Sequence, residues 1–203
     1  MNETLSPGFA DPVGAAQATF RAVLTALSEP GKLLELELAP DLGFRPPAPL
    51  GLAAAAIALS LLDGDTPLWC DPASRPATPS LRFHTGAPLV ETPESARFAL
   101  IADPALLPSL AAFDAGSDEY PDRSATLIIE VAAFGPRATG GTALVLRGPG
   151  IPERRSLAVR GLPAGFLAEW RANHARFPRG VDVILTAGAQ LAGLPRSTLI
   201  EEL

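Results

Sequence analysis

The run from Leu50 to Leu62, LGLAAAAIALSLL, carries no charge and has no polar side. Gly51 and Ser60 alone break its apolar character. A helix that is hydrophobic all round is stable only when enclosed, because no face of it can meet water without cost. The run is too short to span a bilayer, which takes about 20 residues. The chain therefore has to fold in layers with this helix held between them. Its 203 residues are enough, since a chain near this size buries roughly 70% of its extended surface on folding.

The rest of the chain predicts those layers. Residues 11–29 predict a helix, with Asp11 as N-cap, Pro12 first in the helix, and Val13, Ala16, Phe20, Leu24 and Leu27 as its apolar stripe. Ser28-Glu29-Pro30-Gly31 stops it. Leu34, Leu36 and Leu38 alternate with Glu35 and Glu37, the pattern of a strand with one wet face. Pro40 to Pro49 predicts a proline-rich loop, Asp63 to Pro67 a turn, Pro67 to Cys70 a short inner strand and Asp71 to Pro79 another loop. Phe98 to Ile101 predicts a strand, Asp103-Pro104 the start of a helix through Phe113, and residues 114–124 a polar loop. The β-branched run Ala125 to Ala133 predicts a central strand. Gly140-Gly141 turns it into Thr142 to Arg147 as a hairpin, which Gly148-Pro149-Gly150-Ile151 closes.

Pro163 opens a helix with Phe166, Leu167, Trp170 and His174 on one side, stopped by Phe177-Pro178-Arg179-Gly180. Val181 to Thr186 and Gln190 to Leu194 predict strands around a turn at Ala187-Gly188-Ala189, and Pro195-Arg196-Ser197-Thr198 leads to a short terminal segment. Helices and strands mix throughout, with no repeat and no long linker. The expectation is one α/β domain over residues 1–203, a mixed β-sheet flanked by helices.

Composition narrows the function. A net charge of −6 and a pI near 4.9 exclude a general nucleic-acid binder, which needs a basic face. Lys32 is the only lysine and opens a strand, so a reaction needing a buried lysine has one poorly placed candidate. Cys70 is alone, which rules out a disulfide within the chain and predicts a buried, inert thiol. Met1-Asn2-Glu3-Thr4 lacks the charged start and apolar core of a signal peptide, so a cytoplasmic location without membrane contact is expected. There is no Gly-x4-Gly-Lys phosphate loop, no Gly-x-Gly-x-x-Gly and no Gly-x-Ser-x-Gly elbow, and Gly148-Pro149-Gly150 is a turn. Two histidines and one cysteine make a poor transition-metal site. Asp63 and Asp65 either hold a hard cation or, on the ordinary reading, build a turn. Neither a resident cofactor nor a metal nor a catalytic set is expected.

Ser80-Leu81-Arg82-Phe83-His84-Thr85-Gly86-Ala87-Pro88-Leu89-Val90 is an odd sequence for a plain strand or helix, and Gly86 with Pro88 predicts a fixed turn. Arg82, Arg179 and Arg196 all sit beside turn residues. Each suits a two-pronged hydrogen bond to a phosphate or phosphonate, and equally a backbone carbonyl, a carboxylate or a subunit contact. His84 suits an anion or a structural bond, and His174 a helix C-terminus. The candidate ligand or interface residues are thus Arg82, His84, Arg179 and Arg196.

Seven blocks in order along the chain resemble the PhnH family, the H subunit of the bacterial carbon–phosphorus lyase system. They are Phe20-Arg21 with Ser28 to Gly31, Leu62 to Pro67, Ser80 to Val90, Ser124 to Val131, Arg147 to Ile151, Phe177 to Asp182, and Leu194 to Thr198. Ser197 stands where the family often has threonine. The resemblance implies a fold like the large domain of pyridoxal-phosphate transferases without the cofactor, and a homodimer in isolation. It also implies work with partner subunits G, I and J in phosphonate breakdown. In the first step a phosphonate displaces adenine from ATP to give a ribose phosphonate triphosphate. The chain is expected to serve there as a non-catalytic assembly subunit, with a phosphonate or nucleotide held by Arg82 and His84 as the alternative.

Overall fold

Four parallel strands alternate their side chains between two separate cores, and that alternation sets the architecture. The computed structural model describes residues 5–38, 44–135 and 138–202. Strands β1 (Leu34–Glu35), β2 (Leu68–Cys70), β3 (Phe98–Ile101), β4 (Thr126–Glu130), β8 (Asp182–Ala187) and β9 (Gln190–Leu194) form a six-stranded sheet in the order β1-β9-β8-β4-β3-β2. β2, β3, β4 and β8 run parallel, and β9 and β1 add an antiparallel edge. Leu68, Cys70, Leu100, Ile128 and Ile184 face one side. Trp69, Ala99, Ile101, Leu127, Ile129, Val183 and Leu185 face the other.

On the first side lie α1 (Pro12–Ser28), α2 (Leu52–Leu61) and α3 (Thr78–Thr85). The helix α2 is the enclosed apolar run, with Ala53 to Ala58 wholly buried. It packs on α1, α3, β4 and β8. The N-terminal segment straps this layer. Ser6 N–H donates to Ser80 Oγ at 3.0 Å, His84 Nε2–H donates to the Ser6 carbonyl at 2.9 Å, and Phe9 tilts against Phe44 at 4.9 Å between ring centres.

On the other side lies a second, antiparallel sheet. It comprises β5 (Ala133–Phe134), β6 (Thr142–Arg147), β7 (Arg155–Arg160) and β10 (Leu199–Glu202), in the order β10-β6-β7-β5. With α4 (Phe166–His174) it buries Leu144, Leu146, Leu157, Val159, Phe166 and Trp170 against the large sheet. The fold is thus mixed α/β with a mixed sheet, but helices flank only one face in force. A second sheet covers most of the other.

Several expectations change. Residues 80–85 are helical: α3 starts with Pro79 in its first turn and ends at Gly86, whose φ of 73° supplies the left-handed cap. Asp11 does cap α1, its Oδ1 accepting from Gly14 N–H. Yet α1 turns Thr19, Val23 and Ala26 inward and leaves Val13, Phe20 and Leu24 exposed by 67%, 48% and 51%. Its neighbour α2 is alanine-rich, so the two helices meet through small side chains. Leu34 and Leu36 keep the predicted alternation with Glu35, although the paired strand is only two residues long. Part of the predicted loop at 40–49 lies outside the described residues. The helix expected to Phe113 is two short 3-10 turns, Pro104–Leu106 and Leu110–Ala112. Pro108 between them removes a backbone donor and breaks the run. The expected hairpin between 125–133 and 142–147 does not form. The first belongs chiefly to the large sheet, the second to the small one, and Gly148 to Ile151 instead begins the β6–β7 turn.

Candidate functional site

Two of the four nominated residues sit at the end of α3. Arg82 is exposed and makes no side-chain hydrogen bond or ion pair among the described residues. His84 beside it holds the N-terminal strap. The other two lie at the start of β8. Arg179 pairs with Asp118 at 3.1 Å on the surface. Arg196 is drawn inward: its Nε donates to Asp182 Oδ1 at 3.1 Å, its Nη2 to Asp182 Oδ2, and its Nη1 to the Pro121 carbonyl. The two-pronged bond foreseen for Arg196 exists, and its acceptor is a carboxylate of the same chain. No contact joins Arg82 and His84 to Arg179 and Arg196. His174 Nδ1 bonds the Arg196 carbonyl at 2.9 Å. Asp63 and Asp65 build the turn, Asp65 N–H donating to Asp63 Oδ1.

A wider cleft lies elsewhere. A cleft of about 660 Å³ opens outside the carboxyl ends of β3, β4 and β8. Open α/β sheets place their ligands at this end. The chain leaving β3 (Ala102 to Ala105), the end of β4 (Glu130 to Ala132), the turn at Gly188, the loop at Gly161 to Ala164, and Pro49 with Gly51 line it. Its acidic side chains are Glu130 and Asp103, and among the described residues no arginine, lysine or histidine lines it.

Glu130 is fixed by the start of α2. Gly51 N–H donates to Glu130 Oε1 at 2.5 Å, and Ala53 N–H donates to the Gly188 carbonyl at 2.8 Å. A Cβ at position 51 would stand 2.6 Å from that oxygen, so a side chain there would push the Glu130 carboxylate aside. Beneath the cleft, Asp71 is wholly buried and accepts from the backbone N–H groups of Ser74, Ala102 and Asp103. Those bonds tie the end of β2 to the exit from β3. Burial pushes the Glu130 carboxyl above its ordinary range; the Gly51 bond opposes this, and the charge of Asp71 adds to it. Burial likewise pushes the Cys70 thiol up to about 11, which suppresses the reactive thiolate.

A family model described as bacterial phosphonate metabolism protein (PhnH) matches residues 7–201. The chain belongs to the PhnH family. It is 44% identical over 202 residues to the alpha-D-ribose 1-methylphosphonate 5-triphosphate synthase subunit PhnH of Rhizobium meliloti strain 1021, with 98% of this chain and 97% of that protein covered. It is 32% identical over 184 residues to the putative C-P lyase subunit protein HtxG of Stutzerimonas stutzeri, with 91% and 85% covered.

The blocks that carry the PhnH resemblance meet in groups within the fold. Arg155, just beyond the 147–151 block, bonds the carbonyls of Glu29 and Pro30, and Gly150 abuts the Ser28 carbonyl. Leu68, at the end of the 62–67 block, bonds the Pro88 carbonyl. Asp182 joins Arg196, and its strand pairs with the strand that begins at Thr126. These motifs therefore encode joints of the architecture. Glu130 was not nominated from sequence, where it is one carboxylate inside a β-branched run. The available signal was a charge at the carboxyl end of an inner strand.

The Glu130→Gln variant tests this carboxyl. A folded-state pKa above the unfolded one means that the folded chain binds the extra proton. The associated stability is present below the ordinary carboxylate range and is lost as pH rises through the raised value. Glutamine keeps the acceptor for Gly51 and carries no charge. The variant is expected to melt above the parent at pH 7.5, where the parent carboxyl is charged. The gap should close near pH 4. Calorimetric melting at both pH values checks it, and an equal gap at both would show that the charge of Glu130 is not strained.

Proposed function

We propose that this chain is a subunit of the assembly that forms ribose 1-methylphosphonate 5-triphosphate in phosphonate breakdown, and that it supplies shape and docking surface while its companions supply the reacting groups. The observation that carries this reading is the near full-length 44% identity to the synthase subunit PhnH. In this reading the partners are the G, I and J subunits. The assembly lets a phosphonate displace adenine from ATP, and J cleaves the carbon–phosphorus bond. The isolated chain is a homodimer, it works in the cytoplasm, and its fold follows the large domain of pyridoxal-phosphate transferases without their cofactor.

Several features favour a supporting role. Arg196 is consumed by Asp182, Cys70 is buried with its pKa raised, and Lys32 pairs at the surface with Glu29 at 2.8 Å. Meanwhile Val13, Phe20 and Leu24 share the outer face of α1, and Phe83 is 69% exposed on α3. Exposed apolar surface of this kind is what partner subunits cover. Among the described residues, no helix is long and apolar enough to cross a membrane.

An adenine-release assay with ATP and methylphosphonate tests the proposal. The chain alone should release none, the chain with G and I should turn over, and leaving this chain out should lower the rate at least tenfold. Full turnover by the lone chain, or an undiminished rate without it, would refute the assignment.

A further inference from the structure

We propose that the cleft at Glu130 binds the hydroxyl groups of a sugar, with Glu130 Oε2 as their acceptor, and that it does not receive a phosphate. The position invites a phosphate at first sight, because the start of a helix beside strand ends is where anions usually bind. Here the chain has answered part of that end itself. Gly51 N–H is taken by Glu130 and Ala53 N–H by the Gly188 carbonyl. Both ionisable side chains of the lining, Glu130 and Asp103, are acidic, and among the described residues no basic side chain lines the cleft to balance them. An incoming anion would meet two carboxylates and, among the described residues, no basic side chain.

Glu130 presents the opposite chemistry. Its Oε1 is committed to Gly51, and its Oε2 has no hydrogen-bond partner among the described residues. Asp103 is partly spent on its own turn, its Oδ1 accepting from Ala105 N–H at 3.0 Å. The site therefore offers one strong, half-buried acceptor set in walls of proline, glycine, alanine, valine and leucine. A ligand suits it if it brings neutral O–H donors and apolar edges. The volume of about 660 Å³ has room for a sugar and a substituent. No aromatic ring lines the cleft to cradle a cation, which favours a polyol over an ammonium group. The choice of ribose among polyols rests on the assembly function proposed above. The chemistry at Glu130 does not.

Amide NMR of the full chain, titrated with methyl β-D-ribofuranoside into the high millimolar range, provides the test. The Gly51 amide is a direct reporter, because it bonds Glu130. The ribofuranoside should shift the amides of Gly51, Gly188 and Ala102, and its 2,3-dideoxy counterpart should do so at least tenfold more weakly. Glu130→Gln should weaken binding about tenfold or more, as loss of a charged acceptor does. Ala164→Phe, at an exposed rim position, should block binding without touching Glu130, and it decides the matter if Glu130→Gln misfolds. The proposal is overturned if the ribofuranoside shifts none of these amides, if the dideoxy sugar matches it, if Ala164→Phe leaves binding intact, or if inorganic triphosphate shifts the same amides. Each outcome is independent of the adenine-release assay, so a failed sugar site and a failed assembly role are told apart.

Discussion

Arg196→Ala should melt about 10 °C below the parent chain. Its guanidinium holds Asp182 by two prongs and the Pro121 carbonyl by a third bond, with the two side chains only 13% and 19% exposed. Removing one partner of a buried ion pair leaves the other charge unanswered, which costs about 3–5 kcal/mol. In a chain of 150–250 residues each 1 kcal/mol lowers the melting temperature by about 2–4 °C. The damage falls at a central place, since Asp182 begins β8 in register with Thr126 of β4. Arg196→Lys should recover little, because an ammonium cannot reproduce the two-pronged geometry. Thermal unfolding followed by circular dichroism reads all of this. An arginine kept for a ligand would tolerate alanine without thermal cost, so an unchanged melting temperature would return Arg196 to the ligand candidates.

What could be read in advance was local, and what could not was the pairing of distant segments. β3 and β9 fall at the predicted residues because each is a short apolar run bounded by turn formers. The enclosed helix α2 was plain from composition. Failure began where two runs looked alike. Residues 125–133 and 142–147 both read as strand, and closeness in sequence suggested that they pair. In the fold the chain changes sheets between them: Val131 N–H still bonds Thr186 in the large sheet, while Ala132 N–H already bonds Arg160 in the small one. Nothing local marks that crossing. The strand Arg155–Arg160 was passed over because a serine and two arginines hide its alternation. The stripe on α1 shows the same limit from another side. Its spacing was truly helical, but which face turns inward depends on what the neighbouring helix can accept. The candidate site follows suit. Arg196 was recognisable as a two-pronged donor, whereas its acceptor 14 positions away was not. Glu130 acquires its meaning only from Gly51, 79 positions earlier.

The most damaging single change foreseen is Gly150→Ala, which should prevent accumulation of folded protein or cost more than 3 kcal/mol. Two effects add there. The residue has φ +80°, a left-handed backbone that costs an L side chain about 1–2 kcal/mol. A Cβ would also stand 1.9 Å from the Ser28 carbonyl oxygen and 2.9 Å from Pro30, against rigid atoms that cannot swing aside. Gly165→Ala separates the two. Gly165 has φ +79°, and a Cβ there meets nothing within 4 Å, so it should cost only the backbone share. Denaturant unfolding of both variants measures the difference, and equal losses would show that the contact at Ser28 is soft. A large difference would establish that the turn after β6 is wedged against the end of α1. That joint ties the helical layer to the small sheet, with Arg155 locking it through the carbonyls of Glu29 and Pro30 at 2.8 Å each. Two of the blocks that carry this chain's PhnH resemblance, 28–31 and 147–151, are then one mechanical feature.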